Sequence, residues 1–123
     1  MTDNTNKVVV NLATGMEDAE RVMIAFLVAG AAVEQGKHVT MFLTKDAVKL
    51  ALPGHAEGVA CEGCPPIERL FEQYANGGGE LLVCPICVTA RGLDGRELVS
   101  NAKIGGATPL WEWIGDGATV FSY

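Results

Sequence analysis

"LLVCPICVTARG", residues 81–92, marks a point where an apolar run stops and a helical one begins with no turn between them. The run "ELLVC" (80–84) is short, apolar and preceded by a glycine turn, which fits a buried strand. "PICVTARG" (85–92) follows at once. Pro85 suits the first helical position, where its missing N–H is not needed and its ring presets φ. A strand that runs straight into a helix is half of a βα unit, so the rest of the chain is read for repeats of it.

The repeats are there. "KVVVNL" (7–12) is a near-continuous apolar run, as expected of a strand covered on both faces. Thr14 and Glu17 have capping-box spacing, and the helix they open runs to about Gly36, a natural C-terminal stop. "HVTMFLT" (38–44) reads as a second strand, with Thr44 placed to cap a short helix, "KDAVKLAL", that Pro53 and Gly54 end. After an irregular loop (53–66), Pro65 and Pro66 open the helix "PIERLFEQYANGG" ahead of the 80–84 strand. "AKIGGA" (102–107), "TPLWEWIG" (108–115) and "ATVFSY" (118–123) supply a weaker strand, a short helix and a last strand. Five strand–helix alternations predict a three-layer α/β/α sandwich with a mostly parallel sheet of about five strands, in a single domain over 1–123.

Bulk properties narrow the function. A net charge of −6 with only nine Lys and Arg gives no basic surface for nucleic acid or for an anionic membrane. The longest apolar run, "VMIAFLVAGAAV" (22–33), falls well short of the ~20 residues that span a bilayer. "MTDNTNK" lacks the basic and apolar regions of a secretory leader, so a cytoplasmic location is expected. No G-x-G-x-x-G, G-x-x-x-x-G-K or G-x-S-x-G is present, and the first strand-to-helix turn carries carboxylates where a phosphate needs bare N–H groups.

The chemistry therefore rests on four cysteines in two C-x-x-C pairs, Cys61/Cys64 and Cys84/Cys87. In a parallel sheet ligands gather at the carboxyl ends of strands, which is where Cys84 falls. The helix from Pro65 runs antiparallel to the next strand, so Cys61 and Cys64 belong to the same end. Two chemistries fit. Paired C-x-x-C motifs have zinc-site spacing, and four thiolates would make a closed structural site in a protein acting as an assembly module. Alternatively, Cys84 at a strand-to-helix junction meets free N–H groups and the positive dipole end, which favour thiolate over thiol. Cys84 is then the nucleophile and Cys87 its resolving partner, on one helix face with Arg91. Stable disulfides are not expected in a cytoplasmic chain.

Each residue also has a plainer reading. Cys87 could be a small hydrophobe facing the sheet, and the simpler expectations for Arg91, His55 and Lys45 are solvated side chains. His38 is expected to be structural. Trp111 and Trp113 lie two apart on a short helix, so one should be exposed or in a subunit contact.

Four stretches, "KVVVNLATG", "GKHVTMFLTKDAVKLAL", "GGGELLVCPICVTARGL" and "LWEWIGDGATVFSY", resemble in order and kind the DsrE/DsrF-like family, which includes the TusD-type subunits of the sulfur relay that thiolates tRNA. The resemblance implies an α/β/α fold and homo-oligomers (dimer, trimer or hexamer). The sulfur-handling reading that goes with it expects sulfur donor and acceptor proteins as partners and no cofactor, with zinc only in the four-cysteine alternative. The resemblance also implies a persulfide on the cysteine after the third strand, here Cys84, with Arg91 and Gly92 as the "R-G" pair whose glycine lies eight residues on. The relay subunits lack a counterpart of Cys87 and of Cys61/Cys64. A C-x-x-C can close on itself and expel the sulfur, which is closer to a reductase than to a simple carrier.

Overall fold

The computed structural model describes residues 6–123, so Met1–Thr5, and with them most of the leader expectation, lie outside the described residues. The strands are β1 (Lys7–Leu12), β2 (His38–Leu43), β3 (Glu80–Val83), β4 (Ala102–Ile104) and β5 (Thr119–Ser122). The helices are α1 (Ala19–Glu34), α2 (Ile67–Asn76), α3 (Pro85–Ala90) and α4 (Ala107–Ile114), with 3₁₀ segments at Met16–Asp18 and Lys45–Ala51. The five strands form one sheet in the order β4-β3-β2-β1-β5, and every pairing is parallel.

The apolar strands are continuous because both faces are covered. On one face Val8, Val10, Leu12, Val39, Met41, Leu43, Leu81 and Val83 join Val22, Phe26 and Ala29 of α1 and Leu70 and Tyr74 of α2 in one cluster. Phe26 meets Phe71 at 5.5 Å and stands edge-on to Tyr74 at 5.8 Å, so aromatic contacts lock α1 against α2. On the opposite face Val9 and Leu82 are also buried. Steps from β1 to β4 move one way across the sheet, whereas β4 to β5 returns to the far edge. With the usual right-handed crossover, α4 must then lie on the second face. Its contacts agree: Lys7 Nζ of β1 donates to the Trp113 carbonyl at 2.9 Å and sits 5.6 Å over the Trp113 ring.

Local chemistry moves several boundaries. Glu17 reaches back to the Gly15 N–H (2.9 Å) rather than to Thr14, and Asp18 caps α1 by accepting from Arg21 N at 3.1 Å. The capping signal is therefore carried one turn later than Thr14-x-x-Glu17 suggests. Residues 45–51 form a 3₁₀ segment whose ends close over three residues, as in Ala47 N to the Thr44 carbonyl, and the Thr44 side chain makes no cap. The run 22–33 lies inside α1, and among the described residues no helix is long and apolar enough to cross a membrane.

Candidate functional site

The site begins where β3 leaves the sheet. Cys84 N donates to the Leu43 carbonyl at 3.0 Å, extending the β2–β3 ladder by one bond. Cys84 then serves as N-cap of α3, with Pro85 in the first turn, and its own carbonyl accepts from Val88 N at 3.1 Å. One sharp junction thus delivers Cys84 to the carboxyl edge and places Cys87 on the first turn. Val88 packs inward and Ile86 points to solvent. Both thiols are free and half-buried.

Cys87 is not a plain core residue. Its Sγ accepts the Lys45 N–H at 3.1 Å. Lys45 is exposed, as expected, but it is the one non-glycine among the described residues with a positive φ, +51°. A left-handed backbone costs an L-residue roughly 1–2 kcal/mol and persists where the surroundings hold it. Two bonds hold this corner, Lys45 N to the Cys87 sulfur and Asp46 to Arg91, and Gly15 leaves room for it, since a Cβ there would stand only 2.7 Å from the Asp46 carbonyl.

Arg91 corrects the expectation of a solvated side chain. Its Nε donates to Asp46 Oδ1 at 2.6 Å and its Nη1 to the Cys87 carbonyl at 3.3 Å, and its side chain is 25% exposed. The hydrogen bond from Arg91 holds the Asp46 carboxyl below its usual range, helped by Lys49 and Lys45. Gly92 explains the other half of the R-G pair. With φ +66° it is the left-handed residue that ends α3, where Leu93 N meets the Val88 carbonyl and Gly92 N the Thr89 carbonyl, both at 3.0 Å. That turn leaves Arg91 as the C-cap, facing the 45–51 segment.

Asp46 was not legible as a site residue. Its only signal is position: β2 and β3 pair Leu43 with Val83, so the residues just past each strand end come side by side.

Cys61 and Cys64 are joined as a disulfide, with Cα atoms 5.2 Å apart, in the loop before α2. The bridge departs from the expectation that all four cysteines are reduced thiols. A bridged pair offers no thiolate to a metal, so a four-cysteine zinc site would first require its reduction. Among the described residues no group of three or more His, Cys, Asp and Glu is arranged to hold a metal ion. His55 is exposed, close to the Pro53 carbonyl (3.3 Å), and lines a cavity of about 210 Å³ with Glu17, Asp46 and Lys49. His38 is exposed at the start of β2. Trp111 is 70% exposed and Trp113 half-buried, so the two do split between solvent and protein.

Comparison with known proteins gives a consistent picture. The profile of the DsrE/DsrF-like family matches residues 6–123. An uncharacterized protein of Methanocaldococcus jannaschii is 29% identical over 82% of this chain, which spans 37% of that protein's length. An uncharacterized protein of Methanopyrus kandleri is 27% identical, covering 85% of this chain and 83% of its own. Among solved structures, the ychN protein of E. coli aligns with a TM-score of 0.78 at 23% identity, over 95% of this chain and 98% of its own. A conserved protein of unknown function from Bacteroides thetaiotaomicron aligns with a TM-score of 0.65 at 18% identity, over 96% and 95%. At these identities the structural matches establish the fold.

Proposed function

The chain belongs to the DsrE/DsrF-like family, and from that premise we propose that it is a cytoplasmic sulfur-relay protein in which Cys84 carries sulfane sulfur. The observation that carries the reading is the pair of free cysteines, Cys84 and Cys87, on the first turn of α3 at the carboxyl edge of the sheet. In loading, the Cys84 thiolate attacks the outer sulfur of a donor protein's persulfide. A Cys84–S–SH group forms and the donor thiolate leaves. Transfer to an acceptor protein reverses that chemistry, returning the Cys84 thiolate.

Cys87 adds a second outcome. Its thiolate attacks Cys84 Sγ, closing a Cys84–Cys87 disulfide and expelling the outer sulfur as hydrosulfide. Two thiol sulfurs are oxidised and one sulfane sulfur is reduced, so a single turnover balances without an outside reductant. A dithiol reductant then reopens the bridge. Cys61–Cys64 is a second redox pair in reserve. The partners are sulfur donor and acceptor proteins and further copies of this chain, without nucleic acid or membrane.

Mass spectrometry after incubation with a sulfane-sulfur donor tests the assignment. The wild-type chain should gain the mass of one sulfur at Cys84, and Cys84→Ser should not. A Cys84→Ser protein that still gains that mass at the wild-type rate would sink the assignment.

A further inference from the structure

We infer that Asp46 is a positioning residue for Cys87, acting through Arg91 and the backbone of Lys45. The inference rests on the reading of Cys87 as the resolving thiol. Two ends of Cys87 are tied to one corner of the protein: its sulfur to the Lys45 N–H at 3.1 Å, its carbonyl to Arg91 Nη1 at 3.3 Å. Arg91 is held in turn by Asp46 at 2.6 Å, the residue next to Lys45. The bonds make a closed circuit: Lys45 N to Cys87, the Cys87 carbonyl to Arg91, Arg91 to Asp46, and Asp46 back to Lys45 through one peptide bond.

The circuit accounts for the left-handed Lys45, since φ +51° keeps its N–H on the sulfur while the neighbouring carboxylate faces the guanidinium. Gly15 leaves room for that corner, because a Cβ there would meet the Asp46 carbonyl at 2.7 Å. Arg91, bonded to Asp46 on one side and to the Cys87 carbonyl on the other, acts here as a strut.

In the resolving step the Cys87 thiolate attacks Cys84 Sγ while the bond from that Sγ to the outer sulfur breaks, and hydrosulfide leaves with the electron pair. The Lys45 N–H keeps the attacking sulfur in one rotamer. When an outside thiolate attacks Cys84 Sγ to reopen the disulfide, Cys87 departs as thiolate toward the same donor. A hydrogen bond to a charged sulfur is stronger than one to a neutral sulfur, so the donor assists that departure, while in the attack its part is to hold the sulfur in place. Loading at Cys84 uses none of these contacts.

The test separates the two steps in full-length Asp46→Asn and Asp46→Glu proteins. Loading is followed by the sulfur mass gained at Cys84, and resolution by hydrosulfide released from the pre-loaded protein. The Lys45 amide proton is followed by NMR. Loss of one charge-assisted contact should slow release in Asp46→Asn on the order of tenfold. Loading should stay within about twofold, and Asp46→Glu should recover part of the release rate. The Lys45 amide resonance should move in Asp46→Asn in the direction seen for Cys87→Ala. Release from Asp46→Asn at the wild-type rate overturns the inference, as does an unmoved Lys45 amide. If wild-type protein releases no hydrosulfide while the amide still moves in Asp46→Asn, the resolving role of Cys87 falls and the positioning of its sulfur by Asp46 stands.

Discussion

Gly92 and Asp46 show how single residues set this site. Gly92 ends α3 at φ +66°, and its backbone turn leaves Arg91 facing Asp46. An alanine there must hold a left-handed conformation, so Gly92→Ala should lose about 1 kcal/mol of stability in urea unfolding. An unchanged midpoint would mean that the turn relaxes at no cost. Asp46 has its carboxyl held below the usual range, chiefly by the Arg91 hydrogen bond. A carboxyl lowered on folding contributes stability above its unfolded value of about 3.9, and that contribution disappears as pH falls through the lower folded value. Wild type should therefore be more stable than Asp46→Asn at neutral pH, with the two curves converging in strong acid. Parallel curves down to the lowest accessible pH would argue that the ion pair does not stabilise the fold. The place of Cys84 at a strand-to-helix junction was legible because strand, cysteine and helix are adjacent in sequence. Asp46 was not, because its partnership with Arg91 depends on β2 lying beside β3.

The elements were legible where hydrophobic period and punctuation agreed. β1 and β2 read as strands from nearly unbroken apolar runs, and α1 ends where its glycine said it would, with Gly36 at φ +81°. The segment 45–51 is the short helix its sequence suggested, but of 3₁₀ type and without the Thr44 cap, and its contacts to Cys87 and Arg91 lie outside its own sequence. Tyr74 ties α2 to the sheet in a way periodicity does not show either. Its hydroxyl donates to the Glu80 carbonyl at 2.5 Å and contacts the Val39 carbonyl at 3.3 Å. Tyr74→Phe leaves those carbonyls without this donor and should cost about 1–2 kcal/mol. Burial, with the Glu80 charge, pushes the Tyr74 hydroxyl far above its usual value. The unfolded chain ionises near pH 10 while the folded one does not, so wild-type stability is intact below about pH 10 and falls above it. Tyr74→Phe has no such proton to lose. Unfolding titrations at pH 8 and 11 should show the gap between the two proteins narrowing, and a constant gap would contradict the assignment.

For the whole molecule, the alternation of strands and helices was enough to predict a parallel sheet, but not the strand order. That order turns on the return of the chain from β4 to the opposite edge, which carries α4 over the second face and leaves β5 outermost. The two edges are defended unequally. β4 is three residues long and carries Lys103, whereas β5 presents Thr119, Val120, Phe121 and Ser122, all exposed and none charged. Val120 and Phe121 are 56% and 41% exposed. An uncharged apolar edge invites pairing with another chain, and a single lysine is among the ordinary ways to block it. The homo-oligomer proposed above gives that edge a cover. Sedimentation velocity of wild-type protein should then give a mass that is a multiple of 13.0 kDa, and Val120→Lys should shift it toward the single-chain value. Retention of the full oligomer mass by Val120→Lys would place the contact elsewhere, with the exposed Ile24 and Leu27 of α1 and Trp111 of α4 as the next surfaces to change. A wild-type mass of 13.0 kDa at every concentration would remove the homo-oligomer itself.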